Sequence, residues 1–349
     1  MQNKSRFNTT WIQLHQPDNF DDPDHDLVYK QQAQNVPSIK THITNSCSVA
    51  WNTITIDEKA RIFTCTCGGF VPFSVGTVDE FDSFDQIFNS PQAILTQQSI
   101  IKKEFKYCAT QFCGVESNSK ITSDDSIHLI INIDASCNLS CPSCRERIIF
   151  INDSDIISNK LKLADKIYSW ILNTDKRVIV EVSGDGDPFA SLIYLDMVKL
   201  FAKLPNIYFI IKTNGLLLKT HLPKFNIPIE RIRQLSISID AASEQVYEIV
   251  RRGGKWKQLL ENLEYLAVLG IKDVVGHFVI QRANINDIIP FIDLCKHYNM
   301  YPSYTVLQDW GTWHNFEEQC VHIKTSPYYE QFNTIVNNPD FINFKPYYE

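Results

Sequence analysis

From about residue 126 the chain alternates short β-branched runs with longer amphipathic stretches. The runs predict strands over 127–133, 178–182, 207–212, 235–239, 274–280 and 304–307. Between them the 3.6-residue period predicts a helix over 155–172, with Ile157, Leu161, Ala164, Tyr168 and Ile171 on one face. Further helices are expected near 191–203, 255–269 and 286–299. Six β/α units at this spacing imply a parallel sheet with right-handed crossovers. The expected class is α/β, a partial (β/α)6 TIM-like barrel.

Upstream the pattern is different. "WNTITID" (51–57) and "RIFTCTC" (61–67) predict an antiparallel β-hairpin, and one helix is expected over 83–100. "GVESNSKITSDDS" reads as a polar linker. The expected organisation is a polar extension over 1–40, a small α+β domain with the hairpin over 41–118, and the barrel over 125–310. An irregular, aromatic-rich lid or docking segment is expected over 311–349.

Composition narrows the class. A chain of 349 residues, 44% hydrophobic and 21% charged, can bury a large core. Net charge is −7 with no dense Lys/Arg run, which argues against a nucleic-acid groove. No segment has the apolar core of a signal peptide or the length to span a bilayer, so no membrane partner and a cytoplasmic location are expected. Of ten cysteines, eight lie between Cys47 and Cys144, and in a reducing compartment such clustering favours metal ligands over disulfides.

In a parallel barrel, chemistry collects on the loops after the strands. Here the loop after the first strand carries Cys137, Cys141 and Cys144 in "CNLSCPSC". The second strand leads into "SGDGDP" (183–188) and the third into "TNG" (213–215). The fourth ends in "SISID" (236–240), with "RRGG" (251–254) a helix later; "QRAN" and "QDWGTW" follow the fifth and sixth. Taken alone, three thiolates on one loop suit either zinc or an iron–sulfur cluster.

These motifs, in this order over about 125–310, resemble the radical S-adenosylmethionine (radical SAM) superfamily. The resemblance implies that Cys137, Cys141 and Cys144 hold a 4Fe–4S cluster whose open iron is chelated by SAM, and that reductive SAM cleavage yields a 5′-deoxyadenosyl radical that abstracts hydrogen from substrate. It also implies SAM contacts. Gly184 and Gly186 would let backbone approach the methionyl group, and Asp187 or Asp185 would accept from its ammonium. Asp187 stands where relatives carry Glu, and Ser143 where many carry an aromatic. Ser236, Ser238 and Asp240 would face SAM together, and Arg251 would meet its carboxylate or cap a helix. Thr213 and Asn214 would be SAM contacts or turn residues.

A second set resembles the auxiliary-cluster domain called SPASM or twitch, here placed before the barrel. Cys47, Cys65, Cys108 and Cys113 would hold one auxiliary 4Fe–4S cluster, with Cys67 as the alternative ligand; a structural zinc ribbon is the other reading. Cys295 is expected to be a buried small hydrophobe. Cys320 is a candidate hydrogen donor to a substrate radical, and Trp310 and Trp313 are packing residues or substrate platforms. The resemblance implies an enzyme acting on a peptide by crosslinking, epimerisation or backbone rearrangement. A flavodoxin- or ferredoxin-type electron donor is implied, with a separate leader-peptide-binding protein for a peptide substrate. The alternatives are a dehydrogenase or epimerase of a small polar metabolite, such as an aminosugar or aminocyclitol, and a non-catalytic Fe–S or zinc protein.

Overall fold

The structure is a computed structural model that describes residues 47–66, 71–108, 126–182 and 185–343. Cys67, Cys113, Gly184 and the 1–40 extension lie outside the described residues. Six strands follow the linker: β4 (Ser126–Ile131), β5 (Arg177–Val182), β6 (Ile207–Thr213), β7 (Ile232–Ser238), β8 (Val274–Ile280) and β9 (Tyr301–Val306). Each pairs in parallel with the next, as β/α units joined by crossover helices require. This is the α/β partial-barrel arrangement expected from the sequence.

The upstream strands are β1 (Thr53–Ile56), β2 (Arg61–Phe63) and β3 (Gly76–Thr77). β1 and β2 form the expected antiparallel hairpin, with Thr55 opposite Phe63. The hairpin continues the barrel sheet, because β1 pairs in parallel with β4, from Thr53 beside His128 to Ile56 beside Ile131. One sheet results, ordered β3-β2-β1-β4-β5-β6-β7-β8-β9. Ile54, Ile62, Val78 and Phe84 share a hydrophobic core with the barrel helices, and the Trp170 indole donates to the Phe81 carbonyl at 3.0 Å.

Several boundaries differ from expectation for local reasons. The helix expected over 83–100 is two, Phe84–Phe88 and Pro91–Ile101. Ser90 caps the second by accepting from Ala93, and Pro91 takes its first position, where no N–H is needed. Residues 51 and 52 end a short helix, Val49–Asn52, instead of starting the strand. β9 begins at Tyr301 and includes Pro302, which an edge strand tolerates. The segment after β9, expected to be irregular, contains helices Tyr329–Val336 and Pro339–Asn343. Phe332 and Phe341 bury into the main core, and the Phe341 ring lies 5.1 Å from that of Tyr304. No helix among the described residues is long and apolar enough to cross a membrane.

The two faces of the parallel strands differ in chemistry. Leu129, Val180, Phe209, Ile237 and Phe278 join Ile167, Trp170, Met197, Leu263 and Phe291 of the helices in one core. The opposite face alternates with that set and carries His128, Glu181, Lys212, Ser236, Ser238, His277, Ser303 and Thr305. A buried parallel sheet usually reads as apolar on both faces, so a polar inner face marks a binding surface.

Candidate active site

The cysteine loop is fixed on both sides before its first thiol. The buried Asp134 carboxylate accepts from the Ser136 N–H at 2.8 Å and from the Ser191 hydroxyl. The Tyr194 hydroxyl accepts from the Ile133 N–H at 3.0 Å and donates to the Ile131 carbonyl at 2.8 Å. Past this point the Cys137 N–H donates to the Ile149 carbonyl at 2.7 Å, and the Ile151 N–H to the Ser136 hydroxyl at 2.9 Å. Cys141 and Cys144 share a tight turn, with the Cys144 N–H on the Cys141 carbonyl at 2.9 Å.

The glycine-rich loop after β5 packs directly on this loop. A Cβ on Gly186 would lie 2.3 Å from the Ser136 carbonyl oxygen, a backbone atom that cannot swing aside. Gly186→Ala is therefore expected to cost about 3 kcal/mol, at the upper end of overpacking, as measured by denaturant unfolding. The Asp187 N–H donates to the same Ser136 carbonyl at 2.7 Å. The Asp187 carboxylate, fully buried, accepts from the Phe189 N–H at 3.0 Å, the Thr213 hydroxyl at 2.8 Å and the Asn214 N–H at 2.7 Å. Burial pushes its pKa up against the pull of those three donors. Asp187 thus joins the loops after β5 and β6, and Thr213 serves as one of its donors. Asp185, the alternative acceptor, is also shifted upward, by burial and then by the nearby Glu58.

The fourth unit closes over the cysteines. Asp240 follows β7 at φ +60°, a left-handed conformation unusual for a non-glycine residue. Its carboxylate accepts from the Val279 N–H at 2.7 Å and pairs with the Arg251 guanidinium at 2.8 Å. A second Arg251 nitrogen reaches the Cys141 sulfur at 3.8 Å. Burial works against the Arg251 charge, but Asp240 and Cys141 outweigh it and hold the group more firmly protonated. Ser236 and Ser238 stay on the inner face, and Asp240, just past the end of β7, pairs with Arg251. Arg252, which the sequence reading did not single out, donates to the Arg145 and Glu146 carbonyls at 3.2 and 3.1 Å. The Thr312 hydroxyl donates to the Pro142 carbonyl at 2.6 Å, so the segment after β9 also touches the cysteine loop.

The donor set fits a four-iron cluster. Burial, then the Asp187 charge, pushes the Cys137 thiol up to about 11, and burial raises Cys141. Such thiols keep their protons until a metal displaces them. A cubane binds each thiolate at a different iron, and three cysteines closely spaced on one loop supply that number. Arg251 Nε and the Tyr247 hydroxyl are buried beside this loop with no partner, polar atoms that a bound group would satisfy. Cys137, Cys141 and Cys144 would hold the cluster, which on binding SAM supplies one-electron chemistry.

The inner wall holds residues the sequence reading missed. Lys212 Nζ lies 3.1 Å and His128 Nε2 3.3 Å from the Glu181 carboxylate. Burial alone would raise Glu181, but His128 and Lys212 outweigh it and hold the carboxyl at about 2. Burial holds His277 neutral, its pKa lowered to about 3, with Thr305 Oγ1 at 3.2 Å from its ring. A signal existed: Glu181 and Lys212 each interrupt an apolar strand just before a glycine loop.

The other cysteines are placed elsewhere. Cys47 and Cys108 pack on one small cluster of Ala50, Ile100 and Phe105. The Cys65 carbonyl accepts from the Thr55 hydroxyl at 2.7 Å, past the end of β2. Cys47 precedes the start of β1 and Cys65 follows the end of its antiparallel partner. Both therefore lie toward the sheet end where β4 begins, whereas the Cys137 loop follows the end of β4. Cys295 is fully buried beneath Gly276. Cys320 is fully buried with Leu307 and Ile323 against Val279 and Phe316, and its thiol is pushed up to about 12 by burial. Trp310 is about half exposed, while the Trp313 indole N–H is buried without a partner.

Part of the chain is similar to known proteins. The model of the radical SAM superfamily matches residues 131–295. Those residues are a radical SAM domain, an enzyme domain. The GTP 3′,8-cyclase of Staphylococcus epidermidis is 30% identical over 195 residues, 52% of this chain and 54% of that protein. That of Staphylococcus carnosus is 26% identical over 195 residues, with the same coverage of 52% and 54%. The chain spans about half the length of these curated relatives. Streptococcus suis SuiB bound to S-adenosylmethionine is similar at 16% identity and a TM-score of 0.41, over 62% of this chain and 44% of that one.

Proposed function

We propose that the chain is a radical SAM enzyme that abstracts hydrogen from a peptide and carries one auxiliary 4Fe–4S cluster. The net reaction would be crosslinking, epimerisation or backbone rearrangement. The observation that carries the substrate reading is the charge balance of the inner wall. Lys212 is neutralised by Glu181, Arg251 by Asp240, and His277 is held uncharged. On and beside the described inner face, Lys212 and Arg251 are thus each matched by a carboxylate. A wall of matched charges and hydroxyls suits a neutral, hydrogen-bonding ligand such as a peptide backbone, and it suits a polyphosphate poorly.

The second reading is a small polar metabolite. The relatives named GTP 3′,8-cyclase favour it, although they match over about half their length. Under the peptide reading, Cys47, Cys65 and Cys108 would hold the auxiliary cluster, completed by Cys113 or Cys67. Cys320, beside inner-face Val279, would serve as hydrogen donor in an epimerisation. A flavodoxin- or ferredoxin-type protein would supply electrons, and a separate protein would bind a peptide leader.

The test is 5′-deoxyadenosine formation with SAM and dithionite, in the presence of short peptides encoded beside the gene or of GTP. Stimulation by peptide and not by GTP is the expected result. Stimulation by GTP alone would overturn the peptide reading. The inner wall also makes a pH-dependent contribution to stability. Because the Glu181 pKa lies below its ordinary 4.5, its contribution is full above that value and is lost as pH falls toward about 2. Across that window the melting temperature of the native chain should fall more steeply than that of Glu181→Gln. Parallel melting curves would contradict a charged, paired Glu181.

A further inference from the structure

We propose that Arg251 and Asn214 act on the cysteine sulfurs, hydrogen-bonding the thiolates of the four-iron cluster and raising its reduction potential. The inference rests on the radical SAM reading and changes the role implied for both residues from SAM contact to tuning of the cluster.

The sulfurs of Cys137 and Cys141 are each met by a donor on a rigid support. Arg251 Nη1 lies 3.8 Å from Cys141 Sγ, while Nη2 is held by Asp240 at 2.8 Å. Asn214 Nδ2 lies 3.9 Å from Cys137 Sγ and also donates to Asn138 Oδ1 at 2.9 Å. The Leu139 N–H adds a contact to Cys137 Sγ at 3.4 Å. Asn214 cannot drift: its Oδ1 accepts from the Leu216 N–H at 3.0 Å and its own N–H is bound by Asp187. Arg251 is packed as firmly, its side chain 12% exposed. The buried, unpartnered Arg251 Nε and Tyr247 hydroxyl add donor capacity beside Cys141.

The sign follows from electrostatics. One electron from an external low-potential donor adds one negative charge to the cluster and its thiolates, with no bond formed or broken. A fixed guanidinium and a fixed amide dipole stabilise the more negative state, and more so out of water. The Asp240 carboxylate opposes them. Removing Arg251 therefore lowers the potential twice over, by deleting a cation and by leaving Asp240 uncompensated.

The experiment is an EPR-monitored redox titration of anaerobically reconstituted full chain, without SAM. For Arg251→Gln the reduced-to-oxidised ratio at a fixed potential should fall about tenfold, equivalent to about 59 mV for one electron. Asn214→Ala should shift the same way by less, Asp240→Asn should shift upward, and Arg251→Gln with Asp240→Asn should recover part of the loss. Arg251→Gln and Asn214→Ala titrating at the native midpoint with full iron content would overturn the proposal. Should Arg251→Gln not retain iron, the opposed shifts of Asn214→Ala and Asp240→Asn decide alone, and no shift in either overturns it. A native chain that binds no four-iron cluster would overturn the radical SAM reading, and this inference with it.

Discussion

Asp187→Ala is expected to lose about 3–5 kcal/mol of folding stability, the size seen when a buried hydrogen-bond network is broken. The carboxylate is buried and takes three donors at once, the Phe189 N–H, the Thr213 hydroxyl and the Asn214 N–H. Alanine leaves all three without an acceptor, and each unsatisfied group costs about 1–3 kcal/mol, less than additively. Against a total stability of about 5–15 kcal/mol, that is a large fraction. Asp187→Asn keeps one carbonyl oxygen and is expected to lose less than half as much. Denaturant unfolding of the cluster-free chain reads both variants. A stable Asp187→Ala protein whose only defect is weak SAM binding would return Asp187 to a direct role on the SAM ammonium.

Cys141→Ala is expected to act in the opposite sense, sparing the fold and removing the chemistry. The side chain is buried in the main core and its sulfur lies 3.8 Å from the Arg251 guanidinium, so a small apolar substitute fits. Two thiols on the loop cannot hold a site-differentiated cubane. With one auxiliary cluster present, the iron content should fall from about eight to about four per chain. The EPR signal of the reduced SAM-binding cluster should vanish. Alanine variants of Cys47, Cys65 and Cys108 should instead remove the other half of the iron. A native chain holding only about four irons, all lost in Cys141→Ala, would remove the auxiliary cluster while leaving the radical SAM domain intact.

Much of this site was legible because its chemistry is local in sequence. Three thiols within eight residues, a glycine-rich loop and a Thr-Asn-Gly turn each announce themselves, and six strands of alternating texture say where they meet. Partnership across the barrel was not legible. The sequence shows Asp187 as an acidic residue in a glycine loop, but not that β6 delivers Thr213 and Asn214 onto it. It shows Arg251 a helix after Asp240, but not that the left-handed turn at Asp240 aims the carboxylate back at the guanidinium. Glu181 and Lys212 sit in separate strands 31 positions apart and become one pair only through the β5–β6 register. The hairpin itself is legible in two β-branched runs joined by a short polar link. That its first strand extends the barrel sheet depends on pairing with β4 across the polar linker, a long-range contact no local pattern encodes.

The central claim is that the three thiols after β4 build a SAM-cleaving cluster. The most direct measurement is the yield of 5′-deoxyadenosine and methionine from SAM and dithionite, using the anaerobically reconstituted full chain beside its Cys137→Ala/Cys141→Ala/Cys144→Ala triple variant. Both products, in equal amounts from the native chain and absent from the variant, are expected. An iron-loaded native chain that leaves SAM intact, or a triple variant that cleaves it equally well, would contradict the claim.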